Sequence, residues 1–164
     1  MQLDFGGNTV STIGEPLKVT QILPDFTVEG KNGSVSIKNL LDKPLLISVV
    51  PDINTRVCSI QTKKFNEQLD IHNEINFVTI SVNTVEEQSN WCAAENVKNM
   101  QILSDVNHHF ANASHLLMEP ANLLARSVWV IDTNGQIIYS EILKSQSNEP
   151  DYDKVLNFLD EEII

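Results

Sequence analysis

Arginine and cysteine are both scarce in this 164-residue chain, at two each: Arg56 and Arg126, Cys58 and Cys92. The two cysteines lie far apart and form no Cys-x-x-Cys pair, so no local redox motif joins them. None of the four histidines, His72, His108, His109 and His115, has a companion cysteine or a helix-spaced acid, which argues against a zinc or other metal site. The adjacent His108-His109 pair reads as a polar loop or a helix end. No run approaches the roughly 18 apolar residues of a membrane span, and "MQLDFGGNTV" lacks both a basic and an apolar signal region. Basic charge is short as well. With 22 Asp and Glu against 11 Lys and Arg, the net charge of -11 would repel nucleic acid and anionic membranes. The expectation is a soluble cytoplasmic protein. No repeat, low-complexity tract or long Pro/Gly/Ser linker divides the chain, so residues 1–164 read as one domain, large enough to bury a core without a disulfide.

What is present follows an α/β order. "LDFGGNTVST" and "FTVEGKNGSVSI" place Gly and Asn between short alternating segments, as tight hairpins do. "PLLISVV" (44–50) and "INFVTISV" (75–82) are apolar and β-branched without strict alternation, which is expected of central strands covered on both faces. A helix-sized segment from 56 to about 70 lies between them and predicts a parallel pair joined by a crossover helix. "TVEE" (84–87) fits a capping box and opens a second helix running to about Asn96. "MQILSD" is a further strand, and the chain from there through His115 has no clear pattern. "RSVWVIDTNGQIIYSEIL" (126–143) forms two strands about Asn134-Gly135, and "DYDKVLNFLDEE" aligns Tyr152, Val155, Leu156 and Leu159 on one helical face. The order fits a thioredoxin-like fold with an N-terminal β-hairpin extension.

In that layout Cys58 falls in the first turn of the helix after "PLLISVV". If Asn54 or Thr55 caps that helix, free amides and the positive end of the macrodipole favour a thiolate there. Arg56, Lys63 and Lys64 crowd the same stretch of sequence, and cations act in the same direction. Spacing aligns Cys58 with Phe65 and Leu69, which predicts partial shielding from water. An inert core cysteine is the competing reading. Cys92 shares a stripe with Val85 and stands next to Trp91, and a buried structural thiol explains it equally well. Arg126 enters the "SVWVI" strand, and its planar, permanently charged fork suits a polar substrate held against a thiolate; sequence does not place it beside Cys58.

The segment "PDINTRVCSIQTKKFN" resembles the peroxiredoxin signature Pro-x-x-x-Thr-x-x-Cys, carried by Pro51, Thr55 and Cys58. With "PDFTV" (24–28), "WCAAENVKNMQILSD" (91–105), "LLARSVWVIDTNGQIIYSEI" (123–142) and "EPDYD" (149–153), the chain resembles the bacterial thiol peroxidase family of atypical two-cysteine peroxiredoxins. The resemblance implies a homodimer of thioredoxin fold that reduces hydrogen peroxide and organic hydroperoxides and is recycled by a thioredoxin-type reductant, with no metal or organic cofactor. It implies Cys58 as the peroxidatic cysteine and Cys92 as the resolving one. Thr55 would hydrogen-bond the thiolate or peroxide, Arg126 would polarise the peroxide, and Pro51 would shield the pocket. Two other readings stand beside it: a one-cysteine peroxidase with a structural Cys92, and a non-catalytic binding protein of the same fold.

The chain departs from the family pattern in three places. Arg56 replaces a small glycine and Asn54 an aspartate, which makes the pocket mouth more positive and bears on substrate preference. "NTVEEQ" keeps Gln88 but loses a proline and an aromatic residue before the Cys92 helix, which bears on its unwinding. "HHFANASHLLMEPANLL" lacks a Tyr-Gly-Val element, which bears on the dimer surface and pocket wall.

Overall fold

The computed structural model describes residues 1–163; Ile164, the last residue of the expected domain, lies outside them. Strands β1 (Gln2–Phe5) and β2 (Asn8–Thr12) form the first hairpin. Its turn uses Gly6 and Gly7 at φ of 62° and 87°, where a β-carbon would be strained. Strands β3 (Thr27–Gly30) and β4 (Gly33–Ser36) form the second hairpin, and a 3-10 turn follows over Ile37–Leu40. Then come β5 (Leu45–Val49), α1 (Arg56–Asn66), β6 (Asn76–Ser81), α2 (Val85–Glu95) and β7 (Gln101–Ser104). The remainder is α3 (His109–Ser114), β8 (Leu117–Glu119), β9 (Leu123–Leu124), β10 (Ser127–Ile131), β11 (Ile137–Ile142) and α4 (Tyr152–Glu162).

The main sheet has seven strands in the order β11-β10-β5-β6-β7-β3-β4, and a second sheet has the order β1-β2-β8-β9. Strands β5, β6 and β7 run parallel because α1 and α2 cross over between them. Every residue of β5 and β10 is buried, so both read as apolar runs without alternation. Their side chains nevertheless divide between faces. Leu45, Ile47 and Val49 join a core with Phe110, Met118 and Trp129. Leu46 points the other way, into a core shared by Cys58 and Phe65 of α1, Trp91 of α2, and Val155 and Leu159 of α4.

Register positions the site. β10 runs antiparallel to β5 with Ser127 opposite Val49 and Ile131 opposite Leu45. Arg126, one residue before β10, is therefore brought to the carboxyl end of β5, where the chain turns through Pro51 into α1.

Two sequence expectations change. α1 ends at Asn66 rather than near residue 70, because Gln68 and Leu69 bond back three residues, to Phe65 and Asn66, in turns that bring the chain to β6. The unpatterned stretch contains α3, whose first amides are held by Asp105: its carboxylate accepts from Phe110 N and Ala111 N, each at 2.8 Å. His108 stands at the cap position of α3 and His109 begins the helix, as a helix-end pair would.

Candidate active site

Cys58 is the third residue of α1 and is fully buried, so the shielding is complete rather than partial. Thr55 occupies the N-cap position, with its carbonyl accepting from Ser59 N at 2.9 Å. Its hydroxyl is not a capping acceptor; it donates to Asp52 O at 2.9 Å. The opening amides of α1 thus lack a side-chain cap, and the positive end of the helix is directed at the turn that carries Cys58. Pro51 is buried at the start of that turn, while Asn54, Thr55 and Arg56 are exposed.

The cations grouped with Cys58 in sequence separate in space. Lys63 and Lys64 belong to the last turn of α1, at its negative end. Lys63 pairs with Glu95 at 2.9 Å, tying α1 to α2, and the Lys64 ammonium lies 5.8 Å from the centre of the Tyr152 ring. Arg56 alone stays at the helix start. A groove of about 690 Å³ runs between the two helices there, bordered by Thr55, Arg56, Ser59, Trp91 and Glu95.

Arg126 is 4 % exposed. Its Nε donates to Gln146 O at 2.8 Å and its Nη1 to Gln61 Oε1 at 3.1 Å. Gln61 is one turn after Cys58 on α1 and is itself buried; its Nε2 donates to Ser48 Oγ at 2.9 Å and Val49 O at 3.3 Å. Strand β5, helix α1 and Arg126 are thereby joined through one amide side chain. No carboxylate pairs with Arg126 among the described residues. A guanidinium so buried, with only two of its five donors used on neutral acceptors, is stabilised by an anion arriving beside it.

Cys92 is half-buried in α2 and unbonded to Cys58. The capping box at the start of α2 is formed: Thr84 Oγ1 accepts from Glu87 N, and Glu87 Oε1 accepts from Thr84 N, each at 3.2 Å. Burial pushes the Cys92 thiol above its ordinary value, and the Lys31 charge pulls in the opposite direction. The thiol borders a second cavity, of about 370 Å³, between α2, β7 and the β3–β4 hairpin. That cavity shares no residue with the groove at Thr55 and Arg56.

Residues 19–140 match the model of the AhpC/TSA family. The chain is 37% identical over 157 residues to the thiol peroxidase of Bacillus subtilis (strain 168), covering 93% of each chain. It belongs to the AhpC/TSA family, among its thiol peroxidases. The thiol peroxidase of Listeria innocua is 39% identical over 157 residues, covering 94% of this chain and 95% of that one. A solved structure of a peroxiredoxin-like protein from Aquifex aeolicus superposes with a TM-score of 0.90 at 28% identity, over 98% of this chain and 96% of that one.

In this AhpC/TSA chain three buried amide side chains escaped the reading of the sequence. The Gln61 side chain accepts from the Arg126 guanidinium, and the Gln146 side chain holds the Arg126 backbone, its Oε1 accepting from Arg126 N while its Nε2 donates to Leu143 O at 2.6 Å. Asn83 links the approaches to both cysteine helices: its Oδ1 accepts from Ile53 N at 2.9 Å and its Nδ2 donates to Asp52 and Glu87. The available signal was a glutamine at i+3 from Cys58, on the helix face that also carries Phe65.

Proposed function

We propose that this protein is a thiol-dependent peroxidase in which Cys58 is the nucleophile, Cys92 the resolving thiol, and Arg126 and Thr55 the groups that orient and polarise the peroxide. One observation carries the site assignment: a buried guanidinium with no carboxylate partner among the described residues, fixed by Gln61 to the helix whose uncapped first turn holds Cys58. Both features favour negative charge at one place, where a thiolate attacks and an oxyanion leaves.

The Cys58 thiolate attacks the terminal oxygen of R–O–O–H; the O–O bond breaks, a sulfenic acid forms, and the departing RO⁻ takes a proton to leave as ROH. Arg126 holds the developing charge on the peroxide oxygens. The Thr55 hydroxyl, which is bonded to Asp52 O, turns toward the sulfur or the peroxide, and Pro51 keeps the other side dry. The Cys92 thiolate then attacks the Cys58 sulfur, expelling hydroxide, which leaves as water once protonated. A thioredoxin-type dithiol restores both thiols by two exchange steps.

Cys58 is fully buried and Cys92 opens on a different cavity, so resolution requires local unwinding at the first turn of α1, around Cys92, or both. A disulfide needs the two Cα atoms within roughly 4.4 to 6.8 Å. Hydrogen peroxide and organic hydroperoxides are the substrates, the working form is a homodimer of one-domain chains, and a reducing cytoplasmic setting keeps both thiols free.

Intact-mass analysis after one equivalent of hydrogen peroxide tests the scheme. A disulfide between Cys58 and Cys92 is expected. A stable sulfenic acid at Cys58 would replace it with a one-cysteine peroxidase, and an unmodified chain would leave only a binding protein.

A further inference from the structure

Strands β5 and β6 end side by side, with Val49 opposite Ile80 and Val50 N donating to Ile80 O at 3.1 Å. The loops that leave them lead to the two cysteine helices, and the side chain of Asn83, 8 % exposed, bonds to both. On the α1 side its Oδ1 accepts from N of the fully buried Ile53 at 2.9 Å, and its Nδ2 donates to Asp52 Oδ1 at 3.0 Å. On the α2 side Nδ2 also donates to Glu87 Oε2, at 3.2 Å. Ser104 Oγ, in β7, donates to the Asn83 carbonyl, so the backbone is anchored to the sheet while the side chain spans the loops.

Each of these contacts leads on to a helix start. Asp52 O accepts from Thr55 N at 3.0 Å and from Thr55 Oγ1 at 2.9 Å, and Asp52 Oδ1 accepts from Asn54 N at 3.1 Å, so the turn that sets the N-cap of α1 is built on Asp52. Ile53 shares a core with Cys58 and Trp91. Glu87 closes the first turn of α2 through Thr84. The hydrogen bond from Thr84 N, followed by those from the Asn83 and Thr84 side chains, holds the Glu87 carboxyl below its ordinary value, whereas the Asp52 charge pushes it up. Two carboxylates on different loops thus share one amide group, and without it they repel.

We propose that Asn83 is a positioning residue that couples the opening of the Cys58 turn to the opening of the Cys92 helix. When the turn unwinds, Asp52 and Ile53 leave the Asn83 side chain, the amide loses its alignment with Glu87, and the first turn of α2 loosens. While the turn is closed, the same bonds keep α2 wound. Linkage makes the effect reciprocal, so loosening α2 favours opening of the Cys58 turn by the same factor. The coupling is independent of the peroxidase reading; only its use, the release of Cys92 once Cys58 is oxidised, rests on it.

Amide hydrogen exchange in the reduced chain, referred to the amides of β5, reads each opening without peroxide. Ser59→Pro removes the bond from Ser59 N to Thr55 O and lets α1 begin about one turn later, since proline is tolerated at a first helical position. Exchange at Gln88 N, which donates to Thr84 O at 3.0 Å in α2, is then expected to rise about fivefold or more. In Asn83→Ala that exchange is already raised, and adding Ser59→Pro changes it no further. Ser59→Gly acts in the same direction with a smaller effect and serves if the proline prevents folding. Thr84→Ala runs the cycle from the α2 side, with faster exchange expected at Ser59 N only while Asn83 is present. Unchanged exchange at Gln88 in the folded Ser59 variants, or a response that persists in full in the Asn83→Ala background, would overturn the coupling. Coupled exchange in a chain that forms no disulfide between Cys58 and Cys92 with peroxide would uphold the coupling and overturn its use in resolution.

Discussion

Replacing Arg126 by lysine keeps the positive charge and removes the planar fork. The guanidinium reaches Gln146 O and Gln61 Oε1 with Nε and Nη1 and has three donors left for the reacting oxygens. An ammonium has three donors on one atom and cannot span both acceptors while also facing the peroxide. One lost hydrogen bond from a charged donor is worth roughly 1.5–3 kcal/mol. Carried into the barrier, that is a rate loss of roughly 10- to 150-fold. Stability should fall too, by about 1–3 kcal/mol, because Gln61 Oε1 or Gln146 O is left buried and unpaired. Rapid-quench measurement of Cys58 oxidation in a Cys92→Ser background isolates the first chemical step, and thermal unfolding reports the second effect. A folded Arg126→Lys enzyme whose Cys58 oxidises at the wild-type rate would show that the arginine only braces β10 against α1.

Cys58→Ser should abolish peroxide consumption, measured with any thiol reductant; residual turnover in that variant would place the nucleophile elsewhere. Cys92→Ser should consume one equivalent of peroxide and then hold a Cys58 sulfenic acid that further peroxide converts to sulfinic acid, visible by mass; normal thioredoxin-supported turnover would remove Cys92 from the cycle. Because burial raises the Cys92 thiol above its ordinary value of 9.0, it is protonated at neutral pH, and the reactive thiolate grows about tenfold per pH unit below that point. Disulfide formation after a peroxide pulse should therefore accelerate as pH rises through the neutral range, and a flat profile would contradict attack by a Cys92 thiolate. Thr84→Ala removes the hydroxyl that accepts from Glu87 N and leaves in place the backbone bond from Thr84 N to Glu87 Oε1; it should cost about 1 kcal/mol, lower Tm by about 2–4 °C, and speed resolution by loosening the helix that carries Cys92. An unchanged Tm would mean that Glu87 caps the helix without Thr84.

Much of the fold was legible in the sequence because its signals are local. Gly6, Gly7 and Gly135 supply the positive φ their turns require, and "TVEE" names both partners of the α2 capping box within four residues. The buried runs of β5 and β6, with a helix-length segment between them, dictate a parallel crossover. The first-turn position of Cys58 followed from the same reasoning, since a strand ending before Pro51 leaves little room for the helix to begin elsewhere. The short strands β8 and β9 were not legible, because strands of three and two residues carry too few positions for a period to register.

Long-range register decided the rest. Arg126 and Gln61 are far apart in sequence and meet only because β10 pairs with β5 so that Ser127 faces Val49. Nothing near Arg126 in the chain specifies that partner. Lys63 and Lys64 show the converse: a few positions from Cys58 in sequence, they lie in the last turn of α1, with Glu95 and Tyr152 as their partners. The cavity beside Cys92 is likewise assembled from the β3–β4 hairpin, α2 and β7, which are separate in the chain and joined by the sheet. Helix and turn preferences act over a few residues, whereas the charge around a thiol depends on which distant segments the core packs against it.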